Sequence, residues 1–131
     1  MTGLTFVDTN VFVYAVGREH PLRDPASEAL RERLRDGVPM ATSAEVLQEL
    51  LHLYLPVGRT DALDAALRLA RDLTTIWSVE PSDVIAARDM AITEPGLDAR
   101  DLLHLAMCRR HVVDELLTFG RALHAAFARE G

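Results

Sequence analysis

Residues 4–16 read LTFVDTNVFVYAV, and the change of pattern inside this stretch decides the fold. Leu4 to Val7 is a short run rich in strand-forming residues, and Asp8 ends it. From Asn10 to Val16 the chain stays apolar in a way that suits a buried helix. The stretch therefore reads as a strand that passes straight into a helix, with an acid at the junction.

Working outward, Asp24-Pro25 supplies an N-cap followed by proline at the first helical position, and SEALRERLRD continues the helix until Gly37 stops it. VPMAT (38–42) is a second strand. Thr42 or Ser43 caps the helix AEVLQELLHLYL (44–55), which Pro56 ends. A further helix starts near Thr60, with Leu63, Leu67, Ala70 and Leu73 at helical spacing. TTIWSV (74–79) reads as a third strand, and Pro81-Ser82-Asp83 opens a helix through Met90. After the loop Glu94-Pro95-Gly96, Asp98 can cap a helix from Ala99 to about Arg110. A last strand near ELLTF (115–119) leads into the closing helix RALHAAFARE (121–130). Strands alternate with helices and no tight hairpin signal separates them, so the fold class is α/β, with a parallel sheet and helices on both faces.

With 131 residues, about half of them hydrophobic, a single domain over 1–131 is expected. No uncharged apolar run reaches the ~18 residues of a membrane span, and MTGLTFVDTN lacks the layout of a signal peptide, so a soluble, cytoplasmic protein is expected. Cys108, the single cysteine, sits in a helical apolar run and reads as a small buried residue. The net charge of −6 argues against a protein that coats nucleic acid, because such binding relies on basic side chains neutralising phosphates. It does not exclude a nuclease whose acids gather cations that then meet the phosphate. Every basic residue is Arg, which genomic codon bias explains as readily as selection for phosphate contacts.

In open parallel sheets ligands bind beyond the carboxyl ends of the strands, where Asp8 stands. Asp8 is equally well explained as a helix N-cap. Glu49 lies among Val46, Leu47, Leu50, Leu51 and Leu53, where a carboxylate is costly without water, a partner or a cation. Glu45, one turn earlier on the same face, is its rival. Asp98 and Asp101 open a helix, which by itself suggests capping. Helix starts and strand ends share one edge of an α/β sheet, however, so Asp8, Glu49 and Asp101 can meet there. Three carboxylates make a hard-oxygen site suited to Mg²⁺ or Mn²⁺.

At this point the sequence resembles a family. FVDTNVFVYA looks like the first motif of PIN domains, with its acid at Asp8 and its turn-closing Asn at Asn10. TSAEVLQELLH is similar to the second motif, an acid six residues after Ser or Thr, here Glu49 after Ser43. GLDARDLLHLA resembles the third, which gives Asp101 and, five positions on, the small residue Ala106. ELLTFGRALHAAF looks like the closing segment, where the family has an acid two residues after Thr; this chain has Gly120 after Thr118. Asp98 and Asp114 are the acids that could compensate.

The resemblance, to PIN ribonucleases of the VapC toxin kind, implies a three-layer α/β/α fold with a short, mostly parallel central sheet. It implies a Mg²⁺-dependent or Mn²⁺-dependent endoribonuclease whose metal is held by Asp8, Glu49 and Asp101, with Asp98 as a further candidate ligand. Asn10, Ser43 and Thr118 would be structural support. The implied partners are RNA, a small VapB-like antitoxin and a second copy of the chain, with no membrane. The apolar stretches Phe12–Val16 and Leu50–Leu55 could line the antitoxin's groove.

Two other readings compete. Gly120 and the acidic charge suit a catalytically inactive PIN-fold binding module. Glu49-Leu-Leu-His52 and Asp101-Leu-Leu-His104 have the acid-x-x-His spacing of di-iron carboxylate bundles, which requires an all-helical fold. Otherwise both histidines are read as partly buried polar residues on helix faces.

Overall fold

The computed structural model describes residues 3–130. Its elements run β1 (Thr5–Val7), α1 (Thr9–Val16), α2 (Arg23–Arg35), β2 (Met40–Ser43), α3 (Ala44–Tyr54), α4 (Thr60–Leu73), β3 (Thr75–Trp77), α5 (Pro81–Met90), α6 (Ala99–Arg110), β4 (Glu115–Leu117) and α7 (Arg121–Glu130). The four strands form one parallel sheet in the order β3-β2-β1-β4, with Phe6 beside Ala41 on one side and Leu116 on the other. This excludes the di-iron bundle.

The chain steps outward from β1 through β2 to β3, and β4 then pairs on the far side of β1. Right-handed crossovers taken in opposite directions place their helices on opposite faces. Accordingly α1 packs with α2, α3 and α4, whereas α6 packs with α5 and α7. The sheet is the middle of three layers. Because the strand order reverses at β1, the β1–β4 seam is the switch point at which such sheets open a crevice.

β1 is buried along its whole length and β2 likewise. Phe6, Val7, Val11, Phe12, Leu50, Leu105 and Leu123 form the centre of the core. Thr42 is tolerated there because its hydroxyl donates to the Val7 carbonyl at 2.8 Å. Among the described residues no helix is long and apolar enough to cross a membrane.

Helix ends mostly follow their local chemistry. Ser43, rather than Thr42, caps α3 by accepting from the Val46 N–H at 3.2 Å. Past α2, Gly37 takes φ +70°, and the bonds Gly37 N–H to Leu34 O and Val38 N–H to Arg33 O complete a Schellman stop. α6 stops with the same pair of bonds, yet the left-handed position there is Val112 at φ 54°, a strained choice for a β-branched residue.

The start of α2 differs from expectation. The helix begins at Arg23, so Asp24 is in its first turn and is not the cap, and Leu22 at the cap position makes no side-chain bond. His20 substitutes: its Nδ1 accepts from Leu22 N–H at 3.0 Å and its carbonyl from Arg23 N–H at 3.0 Å. Pro25 is tolerated because first-turn N–H groups have no partner inside the helix, and Asp24 faces the positive end of the dipole.

Candidate active site

Asp8 stands at the carboxyl end of β1, where its N–H donates to Leu117 O at 3.0 Å across the β1–β4 seam. Its carboxylate does both things the sequence allowed. Oδ1 accepts from Thr9 N–H at 2.7 Å, capping α1, and Oδ2 accepts from the Thr118 hydroxyl at 2.7 Å and Asn10 Nδ2 at 3.4 Å. Thr118 is itself fixed: its Oγ1 accepts from Gly120 N–H at 3.0 Å and Asn10 Nδ2 at 3.3 Å. Asn10 Oδ1 closes the network by accepting from Phe119 N–H at 3.2 Å. The segment after β4 is thus tied to the acid that ends β1.

Asp8 lines one cleft together with Asn10, Glu49, Asp98, Asp101 and Arg100. Four acids from three parts of the chain therefore share one opening. Asp98 caps α6 by accepting from Asp101 N–H at 2.9 Å, which holds its carboxyl below the ordinary range, and its other oxygen meets Arg100 at 3.4 Å. Asp101, half-buried, is pushed up to about 6, first by burial and then by the negative charges of Asp98 and Asp8; His104 opposes the shift. The cleft concentrates negative charge, and Arg100, the cation on its lip, has a side chain 54% exposed.

Glu49 carries the acid of α3 to this cleft. Glu45 faces elsewhere, into an apolar groove with Val84 and Leu103, and burial followed by repulsion from Glu49 raises its carboxyl above the ordinary range. Asp114 lies at the opposite edge of the sheet, ahead of β4, with its carboxylate accepting from Leu4 N–H at 2.7 Å. It cannot compensate for Gly120. A Cβ built on Gly120 would lie 3.4 Å from Thr118 Oγ1 and 3.8 Å from Asn10 Nδ2, so this position does face the Asp8 network.

Sequence reasoning missed His104. It is not a partly buried polar residue: it is 1% exposed, its Nε2 lies 2.7 Å from Glu49 Oε1 and 3.5 Å from Asp8 Oδ1. Burial alone would lower this imidazole; the hydrogen bond it donates to Glu49 and the charges of Asp8, Glu49 and Asp101 outweigh it and raise it. The available signal was the three-residue step from Asp101, which puts both side chains on one face of α6. His52, by contrast, is exposed. Cys108 is buried and free, its thiol pushed up by burial and by Asp8.

The donor set fits a hard divalent cation. It is all carboxylate oxygen, and Asp101 is held high by burial and then by neighbouring acids whose charge a cation would cancel. As the side chains stand, no three Asp, Glu, His or Cys among the described residues already form a coordination group, so binding requires them to draw together.

A family model for the PIN domain matches residues 5–129, nearly the whole chain. This chain belongs to the PIN-domain family, among its VapC ribonucleases. It is 56% identical over 124 residues to ribonuclease VapC23 of Mycobacterium tuberculosis, covering 95% of this chain and 98% of the relative. Ribonuclease VapC13 of M. tuberculosis is 34% identical over 119 residues, covering 90% and 91%. Among solved structures, the M. tuberculosis sarcin–ricin loop cleaving toxin VapC20 superposes with TM-score 0.72 at 22% identity, covering 93% of this chain and 94% of that one. VapBC2 from Rickettsia felis, solved with a DNA fragment from its promoter, gives 0.70 at 18%, covering 89% and 87%. Both structures share the PIN fold with this chain.

Proposed function

We propose that this chain is the toxin of a toxin–antitoxin pair, an endoribonuclease that hydrolyses RNA phosphodiester bonds with Mg²⁺ or Mn²⁺ held by Asp8, Glu49 and Asp101. The observation that supports the site most strongly is the gathering of these acids, from β1, α3 and α6, in one cleft at the switch point of the sheet. A bound divalent cation supplies charge neutralisation at phosphate and acidification of water. The protein's own contribution is placement. Thr118 and Asn10 fix Asp8, the Ser43 cap fixes the start of the helix that carries Glu49, and Asp98 fixes the start of α6 and lies at the rim as a further oxygen donor. Arg100 on the lip has the planar fork to meet a phosphate of the incoming strand.

The antitoxin, a small VapB-like protein, would lay an apolar segment along a groove between α1, α2 and α4, lined by Val16, Leu30, Leu34, Leu69 and Leu73. Of the two stretches expected to line it, Phe12 and Leu50 are core residues, Val16 lines this groove, and Leu51, Leu53 and Leu55 stand exposed on α3 and at its end. We place the protein in the cytoplasm, as a homodimer. The test of the enzymatic reading is cleavage of RNA by the purified chain with Mg²⁺ or Mn²⁺, lost with EDTA and lost in Asp101→Asn. A folded protein that cleaves no RNA with either metal would support the inactive binding module, and cleavage indifferent to EDTA would contradict the metal site.

A further inference from the structure

The three proposed ligands are held very differently. Asp8 accepts three hydrogen bonds from its own neighbourhood. On α3 the residues one turn from Glu49 are Glu45, Val46, His52 and Leu53, of which the acid repels it and the two apolar side chains offer a carboxylate nothing. The hydrogen bond that anchors it comes from across the cleft, from His104 Nε2 at 2.7 Å. A carboxylate oxygen accepts, so the shared proton sits on Nε2.

His104 is well placed to be an anchor. It follows Asp101 by one turn on α6, and its ring packs against the fully buried Phe6, with ring centroids 5.6 Å apart. Its other nitrogen, Nδ1, is buried with no hydrogen-bond partner. A histidine that served only to fill the core would be a poor choice here, because an apolar residue would avoid that unsatisfied nitrogen. What the imidazole provides, and an apolar side chain cannot, is the link to the acids.

We infer that His104 is a positioning residue of the cation site: bonded to Glu49 and 3.5 Å from Asp8, it keeps Glu49 turned into the cleft beside Asp8, from where the acids can close on a cation. The inference rests on the reading of these acids as cation ligands. Partners that orient a metal's ligands typically contribute about 10- to 100-fold to affinity.

The experiment is Mn²⁺ binding to the purified full chain, followed by electron paramagnetic resonance or calorimetry, with melting temperature recorded for every variant. Wild type should bind and Asp101→Asn should not; if that contrast is absent, the cation-site reading itself fails. With it present, His104→Leu should bind about 10- to 100-fold more weakly. His104→Gln, whose longer amide can present an N–H to Glu49, should stay within a few-fold of wild type. Affinity in His104→Leu equal to or tighter than wild type would overturn the inference, the tighter case marking His104 as a competitor of the cation. Should His104→Leu not fold, His104→Asn against His104→Gln decides. The shorter amide should lose binding that the longer one keeps, and equal affinities would overturn the inference.

Discussion

The two edges of the sheet treat their acids in opposite ways. At the amino edge Glu115 is gripped by Arg33 through two bonds of 2.9 and 2.6 Å and by the Thr5 hydroxyl at 2.9 Å, and Asp114 accepts from Leu4 N–H. Elsewhere outside the cleft, buried Asp83 has Arg110 on both oxygens and the Glu80 N–H as well. At the carboxyl edge Asp8, Glu49, Asp98 and Asp101 open onto one cleft with Arg100 on its lip. The pairing with Arg33 holds Glu115 below the ordinary carboxylate range, whereas burial and then the charges of Asp98 and Asp8 drive Asp101 up to about 6. Pairing acids with Arg is what a chain does to hold a fold together. Burying and crowding them works against the fold, a cost that a bound cation would relieve.

The sharpest way to break the contrast is to remove acids at the carboxyl edge. Asp8→Asn and Asp101→Asn should each cut metal-dependent RNA cleavage by more than about 100-fold, beyond the loss typical of residues that only support a ligand. Their circular dichroism should match wild type. Glu45→Gln, one turn from Glu49 but outside the cleft, should stay within a few-fold in the same assay. A severe Glu45→Gln beside a harmless Glu49→Gln would assign the acid of α3 to the wrong residue.

A second expected effect separates the edges by pH. In the cation-free protein Asp101 is harder to ionise than in the unfolded chain, so its contribution favours the fold below the unfolded value of 3.8 and is lost as pH rises through about 6. Glu115 has the opposite sign: its contribution is present above the ordinary value of 4.5 and is lost as pH falls below it. Melting temperature without metal should therefore climb as pH is lowered from 7 toward 5 and turn down in stronger acid. Asp101→Asn should flatten the climb and Glu115→Gln the downturn. A climb of undiminished size in Asp101→Asn would place the crowding on another group.

Much of the architecture was legible because each junction carries a local signal. Asp8 at the strand-to-helix turn, Ser43, Pro81 and Asp98 at helix starts, and Gly37 at a helix end each act on backbone within a few residues, so their effect can be read from neighbours in sequence. What could not be read depends on which elements become neighbours in space. The strand order β3-β2-β1-β4, the separation of Asp114 from the cleft and the link from His104 to Glu49 across 55 positions are of this kind. In one dimension His104 is one more residue on the buried face of α6. The late start assigned to α2 has a different origin: Asp24-Pro25 is an ordinary cap signal that yields to His20, a side chain outside the usual capping set.

A smaller effect sharpens the comparison by adding charge to the crowded edge. Position 120 faces Thr118 and Asn10, with backbone angles outside the left-handed region, so Gly120→Asp can be accommodated. The variant should bind Mn²⁺ a few-fold more tightly by calorimetry while its metal-free melting temperature falls. Unchanged affinity in a folded variant would mean that the new carboxylate does not reach the site.

The most direct test of the central claim, that the carboxyl edge is crowded in order to hold a cation, is the melting temperature of EDTA-treated protein with and without Mg²⁺ or Mn²⁺. A cation bound only by the folded state stabilises it by about 2.7 kcal/mol at a hundred times its dissociation constant. Wild type should therefore melt higher with metal, and Asp101→Asn should melt higher than wild type without metal yet gain little from its addition. Coincident wild-type curves with and without millimolar metal would contradict the account.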